Sequence, residues 1–439
     1  MKKLLSFLLV AVLLSSCLPR NVQVPQSPLL PLLERKSGLI AYIGADWNIY
    51  TADQAGKNVT AYTDDAKVPT KSTDPFRYYA YPTWSPDSNS IGFVGVSGQG
   101  DKRSADIYIA NVKETAKKVF SSDSEHPFYL YWSPDNTNLG FLSTSADGQS
   151  MILQSVSSNS KDRTLIDSGT PYYWSWAPDG KTMIIHAGST QSSAPEHVAF
   201  LKVDSNITED GLDSSPATFQ TPAWSPDGKS ILMTRVNDQK KNEIIITDGQ
   251  GKFEKAIGTY KLNTAFAWSN HSDMVAYIEG KQQVTAGTLG TLHVIDVKTN
   301  EEIFKDEDDI FAFFWSPNDQ KIAYFVPKIV NASSSSSGSS DSGTQGQNQQ
   351  LYLQLKMLDV NSGESKELYT FPPTDQFTAI LPYFDQYHHS ATIWSPDNNN
   401  IVLSFLGQDG SPGIAVVAAS GQLEPRVIAQ GYLAFWSWK

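Results

Sequence analysis

Cysteine is nearly absent from this chain: only Cys17 occurs among 439 residues. A disulfide within the chain is therefore excluded, and a fold of this length must be stabilised by burial of apolar side chains. Basic residues are also scarce, with 34 lysines and arginines against 46 acidic residues and a formal net charge of −12 at pH 7. Sequence-independent nucleic-acid binding requires a basic surface, so we expect no nucleic-acid partner.

The main long apolar run lies at the start of the chain, MKKLLSFLLVAVLLSSC. Its basic start and short apolar stretch predict an export leader over residues 1–16 rather than a membrane span. The residues Leu14-Ser15-Ser16-Cys17 resemble a bacterial lipobox. That resemblance implies lipidation of Cys17 and anchoring to a bacterial membrane, facing the periplasm or the cell exterior. The alternative is an ordinary leader with an incidental cysteine.

Residues 17–37 are rich in proline and lack a strand pattern. This composition is typical of a tether that would hold the folded part away from the membrane, at about 3 Å per extended residue. The alternative is that its leucines pack on the folded part of the chain. These are Leu29, Leu30, Leu32 and Leu33.

A tryptophan recurs through the rest of the chain, usually within the phrase Trp-Ser-Pro-Asp and mostly at intervals in the forties. One longer interval contains a serine-rich insertion, residues 331–350, which we expect to be a flexible loop. A period of this length with strand-like content is typical of β-propeller blades. The tryptophans are Trp84, Trp132, Trp176, Trp224, Trp268, Trp315, Trp394 and Trp436.

The repeated phrase predicts a tight turn. Proline sets φ for the second turn position, Asp or Asn can bond the local backbone, and the next residue should tolerate a left-handed conformation. Asn136, Gly180, Gly228 and Asn398 occupy that position. Runs of β-branched and aromatic residues follow, so each period should hold four short strands. We expect the tryptophans to be buried between neighbouring sheets, the alternative being a ligand-binding stripe.

The two ends of the chain complement each other. Residues 38–63 read as three strands that lack a first one, and residues 431–438 read as a first strand with nothing after it. If both belong to one blade, the ring closes and leaves no exposed sheet edge. The sequence thus predicts an all-β, eight-bladed propeller of four-stranded antiparallel blades over residues 38–439. Seven blades is the alternative, if one of the repeats that depart from the Trp-Ser-Pro-Asp phrase does not form a full sheet.

These repeats resemble the WSPDG (PD40) repeats of TolB-like β-propellers and are similar to the propeller that precedes the hydrolase of dipeptidyl-peptidase-IV-type enzymes. The resemblance covers nearly all of residues 38–438 and implies the fold, whereas function depends on the site that a scaffold carries. The chain departs from both groups. It shows no helical pattern for the extra domain of TolB and no G-x-S-x-G motif of a serine hydrolase.

In such propellers the loops that precede the first strand of each blade share one face with the loops between the second and third strands. Function is expected on that face because its loops are long; they include the insertion and residues 372–389. Side chains just before each tryptophan should enter the central channel there, where rigid aromatic rings could bind a peptide or a sugar. The alternative is that they only pack the inner strands. The candidates are Tyr79, Phe128, Tyr129, Tyr172, Tyr173, Gln220, Phe311, His389 and Tyr432, with Tyr383, Phe384 and Tyr387 close by.

The sequence contains only weak indications of a catalytic or metal-binding site. His126, His388 and His389 precede inner strands and could converge on a metal ion, although no short-range ligand spacing supports them. The acidic run at residues 306–309 could meet calcium or a basic partner, but most such runs are merely solvated.

Three functions remain open. The first is a lipid-anchored, non-catalytic binding or scaffold module for an envelope protein, peptide or glycan, with no cofactor and no membrane contact beyond the anchor. The second is a metal-assisted polysaccharide lyase or hydrolase with its site in the channel. The third, implied by the TolB resemblance, is a structural role in envelope assembly.

Overall fold

The structure is a computed structural model that describes residue 25 and residues 36–112, 114–158, 162–188, 196–204, 206–212, 217–331 and 349–439. The expected leader, Cys17, most of the tether and residues 332–348 of the insertion lie outside the described residues. Within the described ranges, no helix combines the length and the apolar character needed to cross a membrane.

Six antiparallel sheets of four strands follow one another along the chain, and we call them blades 1 to 6. They comprise β4–β7 (Phe76–Trp84, Ser90–Gln99, Lys102–Asn111, Lys117–Ser122), β8–β11 (His126–Trp132, Asn138–Thr144, Met151–Ser157, Arg163–Gly169), β12–β15 (Tyr172–Trp176, Thr182–Ala187, His197–Lys202, Thr208–Gly211), β16–β19 (Ala223–Trp224, Ser230–Val236, Asn242–Asp248, Phe253–Tyr260), β20–β23 (Thr264–Trp268, Met274–Gly280, Gly290–Asp296, Glu302–Ile310) and β24–β27 (Ala312–Trp315, Lys321–Asn331, Gln349–Asp359, Glu364–Phe371). The first strand of each blade is its inner strand in the propeller.

A seventh sheet joins the two ends of the chain. It contains β1–β3 (Ile40–Gly44, Ile49–Ala52, Thr60–Ala61) and β28–β30 (Asn400–Leu406, Pro412–Ala418, Arg426–Trp436) in the order β28-β29-β30-β1-β2-β3. The register places Trp436 opposite Ile40 and Leu433 opposite Ile43. Ring closure by the last strand is therefore confirmed.

The number of sheets in the described chain is seven, so the alternative count holds and the expectation of eight separate sheets is wrong. The reason lies in β30. Its first half pairs with β29, where Gln430 lies opposite Gly413, and its second half pairs with β1. Because this strand continues without a break, the sheet of the last repeat and the closing sheet become one.

The repeated turn has the expected geometry. In the first repeat, Asp87 Oδ1 accepts hydrogen bonds from Ser85 Oγ at 2.6 Å and from the amide of Asn89 at 3.1 Å. Ser85 Oγ in turn accepts from the amide of Ser90 at 2.9 Å. The four positions expected to be left-handed have φ between 63° and 70°: Asn136, Gly180, Gly228 and Asn398.

Tryptophan indoles fill the spaces between neighbouring sheets. Seven of the eight repeat tryptophans are buried, and Trp224 is partly exposed. Several indole nitrogens also donate to the inner strand of the preceding blade, as Trp132 does to the carbonyl of Thr83 at 3.3 Å and Trp394 to that of Phe314 at 3.0 Å. The repeat therefore supplies both burial and a directional contact between blades.

The loop at residues 372–389 contains short helices, which the sequence analysis did not predict. Helix α1 covers Asp375–Ile380, a 3-10 turn covers Leu381–Tyr383 and helix α2 covers Phe384–Tyr387. Thr374 caps α1 by accepting a hydrogen bond from the amide of Phe377 at 3.3 Å. Pro382 near the start of the 3-10 turn has no amide hydrogen to donate, which suits a helix start.

Candidate functional site

Residues 373–391, which we call the plug, lie among the inner strands. The ring of Phe384 is 4.7 Å from that of Phe313 on β24. The hydroxyl of Thr83 on β4 donates to the carbonyl of Ser390 at 2.6 Å. These inner strands belong to different blades, so the plug spans the axial channel and closes it.

Gln386 makes the most extensive polar contact of the plug. Its Nε2 donates to the carbonyl of Trp174 at 3.0 Å, and its Oε1 accepts from the amide of the same residue at 3.3 Å. The hydroxyl of Tyr129 donates to the carbonyl of Gln386 at 2.8 Å. Since all these groups are buried, their pairing satisfies inner-strand backbone that would otherwise lack partners.

A pocket of about 710 Å³ lies above the plug, at the ends of the inner strands opposite the Pro-Asp turns. One wall is formed by blades 1 to 3, another by the closing sheet and the floor by the plug. Nine aromatic side chains line it: Trp47, Tyr78, Tyr81, Phe128, Tyr129, Tyr172, Tyr173, Tyr383 and Tyr387. Its volume falls within the range of pockets that bind small molecules or peptide side chains.

Backbone conformation places two of these rings. Trp47 has φ of 66° in the hairpin between β1 and β2, and Tyr81 has φ of 55° where the register of β4 shifts. Large side chains rarely adopt such left-handed conformations, which cluster at functional sites. The indole of Trp47 stacks on Tyr432 with centroids 4.3 Å apart and meets Tyr78 edge-on at 5.9 Å.

Four of the nine predicted binding residues line the pocket: Phe128, Tyr129, Tyr172 and Tyr173. The hydroxyl of Tyr172 donates to Asp167 at 2.8 Å. Tyr432 supports the pocket through Trp47 but is not among the lining residues. Five of the nine predicted residues therefore lie in or directly beside one pocket, at the channel end opposite the Pro-Asp turns.

The other four predicted residues lie elsewhere. The hydroxyl of Tyr79 donates to Asp65 at 2.5 Å, and the carbonyl of Gln220 lies 3.0 Å from Nδ1 of His186. Phe311 donates its amide to Phe325 at 2.9 Å. His389 is enclosed in the plug, where its ring stacks 5.6 Å from that of Tyr131. None of the four lines the pocket.

Sequence reasoning missed Trp47, Tyr78, Tyr81 and the plug side chains Gln376, Ile380 and Gln386. Trp47 lies in the hairpin loop between β1 and β2, outside the inner strands, and Tyr81 lies two residues beyond the predicted Tyr79. The available signal was the density of aromatic residues at 76–81, FRYYAY, at the start of an inner strand.

The histidines do not form a metal centre in the part of the chain that the structure describes. No group of three or more His, Cys, Asp or Glu side chains there is arranged to hold a metal ion. His126 begins β8, whereas His388 and His389 lie in the plug with ring centroids 3.9 Å apart. Burial lowers the pKa of His388 to about 4 and that of His389 well below its ordinary value, so both rings are neutral near pH 7.

The acidic run at residues 306–309 bonds to lysines of the same protein. Lys356 Nζ lies 2.6 Å from Asp306 and 3.0 Å from Asp308, and Lys305 lies 2.7 Å from Glu307. The two pairs of Lys356 link the outer strand of blade 5 to blade 6, whereas Lys305 and Glu307 both lie on β23. Asp306, Glu307 and Asp308 of the run therefore pair with lysines of the same fold.

The plug also carries a buried carboxyl group at Asp385, which is 6% exposed. Burial raises the pKa of this group to about 7, because water no longer stabilises its charged form. The side chain therefore changes its charge near neutral pH.

Fold and site together define a β-propeller whose channel is closed by a helical plug, with an aromatic pocket at one end. The chain belongs to the TolB beta propeller domain family (PD40), which matches residues 40–318. No curated protein sequence matches it.

Solved structures of similar fold have low sequence identity. TolB from Acinetobacter baumannii is 14% identical, with coverage of 82% of this chain and 66% of that chain and a TM-score of 0.37. An oligogalacturonate lyase in complex with manganese is 11% identical, with coverage of 88% and 97% and a TM-score of 0.47. The C-terminal WD40 domain of Sif2 is 13% identical, with coverage of 93% and 99% and a TM-score of 0.47. At such identities the likeness concerns the fold alone.

Proposed function

We propose that this protein is a non-catalytic binding module of a bacterial cell envelope, anchored through lipidated Cys17, whose aromatic pocket receives part of a partner protein, a peptide or a glycan. The observation that carries the proposal is the pocket above a closed channel: nine aromatic rings face one concave site on a rigid ring of sheets. Anchoring and location rest on the leader sequence, MKKLLSFLLVAVLLSSC.

The rigidity of the pocket favours binding. Tyrosine and tryptophan provide large contact areas with few rotatable bonds, so little side-chain entropy is lost when a ligand binds. Several rings are also held in place before binding. The hydroxyl of Tyr129 donates to the carbonyl of Gln386, and that of Tyr172 donates to Asp167. The indole of Trp47 stacks on Tyr432. A preorganised aromatic surface is typical of binding hot spots.

The lining offers little for catalysis. Among the described lining residues only Asp375 carries a charge, and none is a histidine, lysine, cysteine or serine. Histidine is the most frequent general acid or base and carboxylates are also common, and of these groups the described lining of the pocket contains only Asp375. This composition supports capture of a ligand over its conversion.

Site-specific photo-crosslinking in intact cells would test the proposal. Tyr383 is 40% exposed at the pocket and would be replaced by p-benzoylphenylalanine. The matched control carries the same residue at Lys229, whose side chain is 80% exposed beside Asp227 in a Pro-Asp turn on the opposite face. We expect a discrete adduct from position 383 and none from position 229. Equal labelling from both positions, or none from 383, would contradict binding at the pocket.

A further inference from the structure

Charge is distributed unevenly around the pocket. Asp375 lines it, and among the described lining residues there is no lysine or arginine. Asp167 lies directly behind the wall, where its carboxylate accepts the hydrogen bond from Tyr172. The local potential is therefore negative.

Two arginines approach this side of the ring without entering the pocket. Arg77 forms an ion pair with Asp65 at 2.8 Å. Arg103 lies on an exposed part of β6, where it partly opposes the increase that burial causes in the pKa of Tyr78. Neither side chain lines the pocket, so neither offers a direct contact to an anionic ligand inside it.

The aromatic rings also favour a cationic ligand. The face of an aromatic ring is electronegative, and it attracts an ammonium or guanidinium group most strongly where water is excluded. Trp47, Phe128, Tyr383 and Tyr387 are all available to such a group at the pocket. Anionic ligands would meet both the ring faces and Asp375 unfavourably.

The volume of the pocket indicates an extended ligand. A space of about 710 Å³ exceeds what a single ammonium group requires. Leu142, Met151, Ile380 and Leu433 supply apolar surface between the rings. Apolar side chains beside the cation could be buried there, which contributes affinity without charge.

We propose that the pocket binds a cationic peptide segment, in which a lysine or arginine side chain lies among the aromatic rings with its charge balanced by Asp375 and apolar neighbours fill the remaining space. This inference rests on the proposed function of the pocket as a binding site and adds the chemistry of its ligand. It excludes phosphorylated and uronate-type ligands as preferred occupants.

A peptide array tests this selectivity. The probes are capped heptapeptides with leucine and tyrosine flanks that differ only at the central position, which is lysine, arginine, norleucine or glutamate. Binding to the purified protein is measured by fluorescence anisotropy. We expect the lysine and arginine peptides to bind about tenfold more tightly than the norleucine peptide. The glutamate peptide should bind most weakly, and added salt should reduce the differences.

Two variants locate the effect. Asp375→Asn should reduce the preference for lysine over norleucine about threefold, whereas Asp101→Asn removes the same charge from an exposed loop of blade 1, outside the pocket, and should leave it unchanged. Tyr383→Ala should weaken all four peptides.

The outcomes separate this inference from the proposed function. Equal affinity for the lysine, norleucine and glutamate peptides would overturn the cation preference, and so would the absence of binding by every peptide. Binding at the pocket would still be supported if Tyr383→Ala weakened that equal affinity or if crosslinking through position 383 succeeded.

Discussion

Asp385→Asn should remove a pH dependence of stability that the plug imposes. Asp385 is buried, and its pKa of about 7 compares with an ordinary value of about 4 that it regains on unfolding. Between these values the folded protein keeps the proton and the unfolded chain has lost it. Unfolding therefore releases a proton, and stability falls as the pH rises through this window. Above pH 7 both states are ionised and the effect is constant.

The magnitude follows from the two pKa values. For a carboxyl group with values of about 4 and 7, linkage gives a loss of roughly 2 to 3 kcal/mol in the free energy of unfolding between pH 5 and pH 8. The asparagine side chain has nearly the same shape and cannot ionise, so the variant should lack this loss. His388 and His389 oppose the trend below pH 6.5, since their pKa values are lowered in the fold. They titrate in both proteins, and the comparison isolates Asp385.

Urea unfolding at pH 5, 6, 7 and 8 would measure this difference for the two proteins side by side. We expect the difference in free energy of unfolding, variant minus wild type, to increase by roughly 2 to 3 kcal/mol from pH 5 to pH 8. Asp87→Asn, in a turn on the opposite face, is a control that should not produce this increase, because the pKa of Asp87 is lowered in the fold and the group is ionised in both states across this pH series. A difference that stayed constant across the pH series would refute the assignment of a buried, neutral carboxyl group to the plug.

Two further predictions concern packing. Gln386→Ala should lower the free energy of unfolding by about 1 to 3 kcal/mol, since the amide and carbonyl of Trp174 lose their partner, whereas Gln376→Ala at the pocket surface should change it little. Equal effects in urea unfolding would argue against a role of Gln386 in holding the plug. Trp394→Ala should cost about 3 to 5 kcal/mol, as expected for a fully buried indole, and the partly exposed Trp224→Ala clearly less. The ranking is checked by thermal unfolding, and a reversed order would show that exposure does not determine these costs.

The fold could be predicted because one short phrase specifies two things at once. Pro86 and Asp87 fix a local turn, and Trp84 is buried against the neighbouring sheet. Each repeat therefore specifies both its turn and its packing. Ring closure was equally accessible, since the missing strand at one end of the chain matches the extra strand at the other. The turn and packing of each repeat and the closure of the ring all indicate the same fold. Composition and period were therefore enough to predict a propeller.

The count of sheets depended on a detail that no repeat encodes. Gly431 separates the two halves of β30, and the sequence on either side reads as two strands. In the structure the strand continues past this glycine, with a register shift opposite Gly44. Whether such a strand is interrupted depends on its backbone pairing with two neighbouring strands. The period of the repeat contains no information about that pairing.

The position of the plug was hidden for a different reason. Its helix start was visible as Pro373, Thr374 and Asp375, a proline followed by a capping residue and an acidic first turn. Its depth in the channel depends on contacts far apart in sequence, such as Gln386 with Trp174 and Ser390 with Thr83. A single sequence carries no record of such pairings.

The plug explains why a nearly symmetrical ring has a one-sided site. Equivalent positions recur around a propeller, so repeats alone would surround an axial channel with similar walls. Residues 373–391 break that equivalence, because they bond to Trp174 and Tyr432 and leave the aromatic residues of blades 1 to 3 facing an open space. In the proposed binding site, selectivity would then depend on few groups, the rings and Asp375. Exchange of the plug should therefore change the ligand while the ring of sheets is retained.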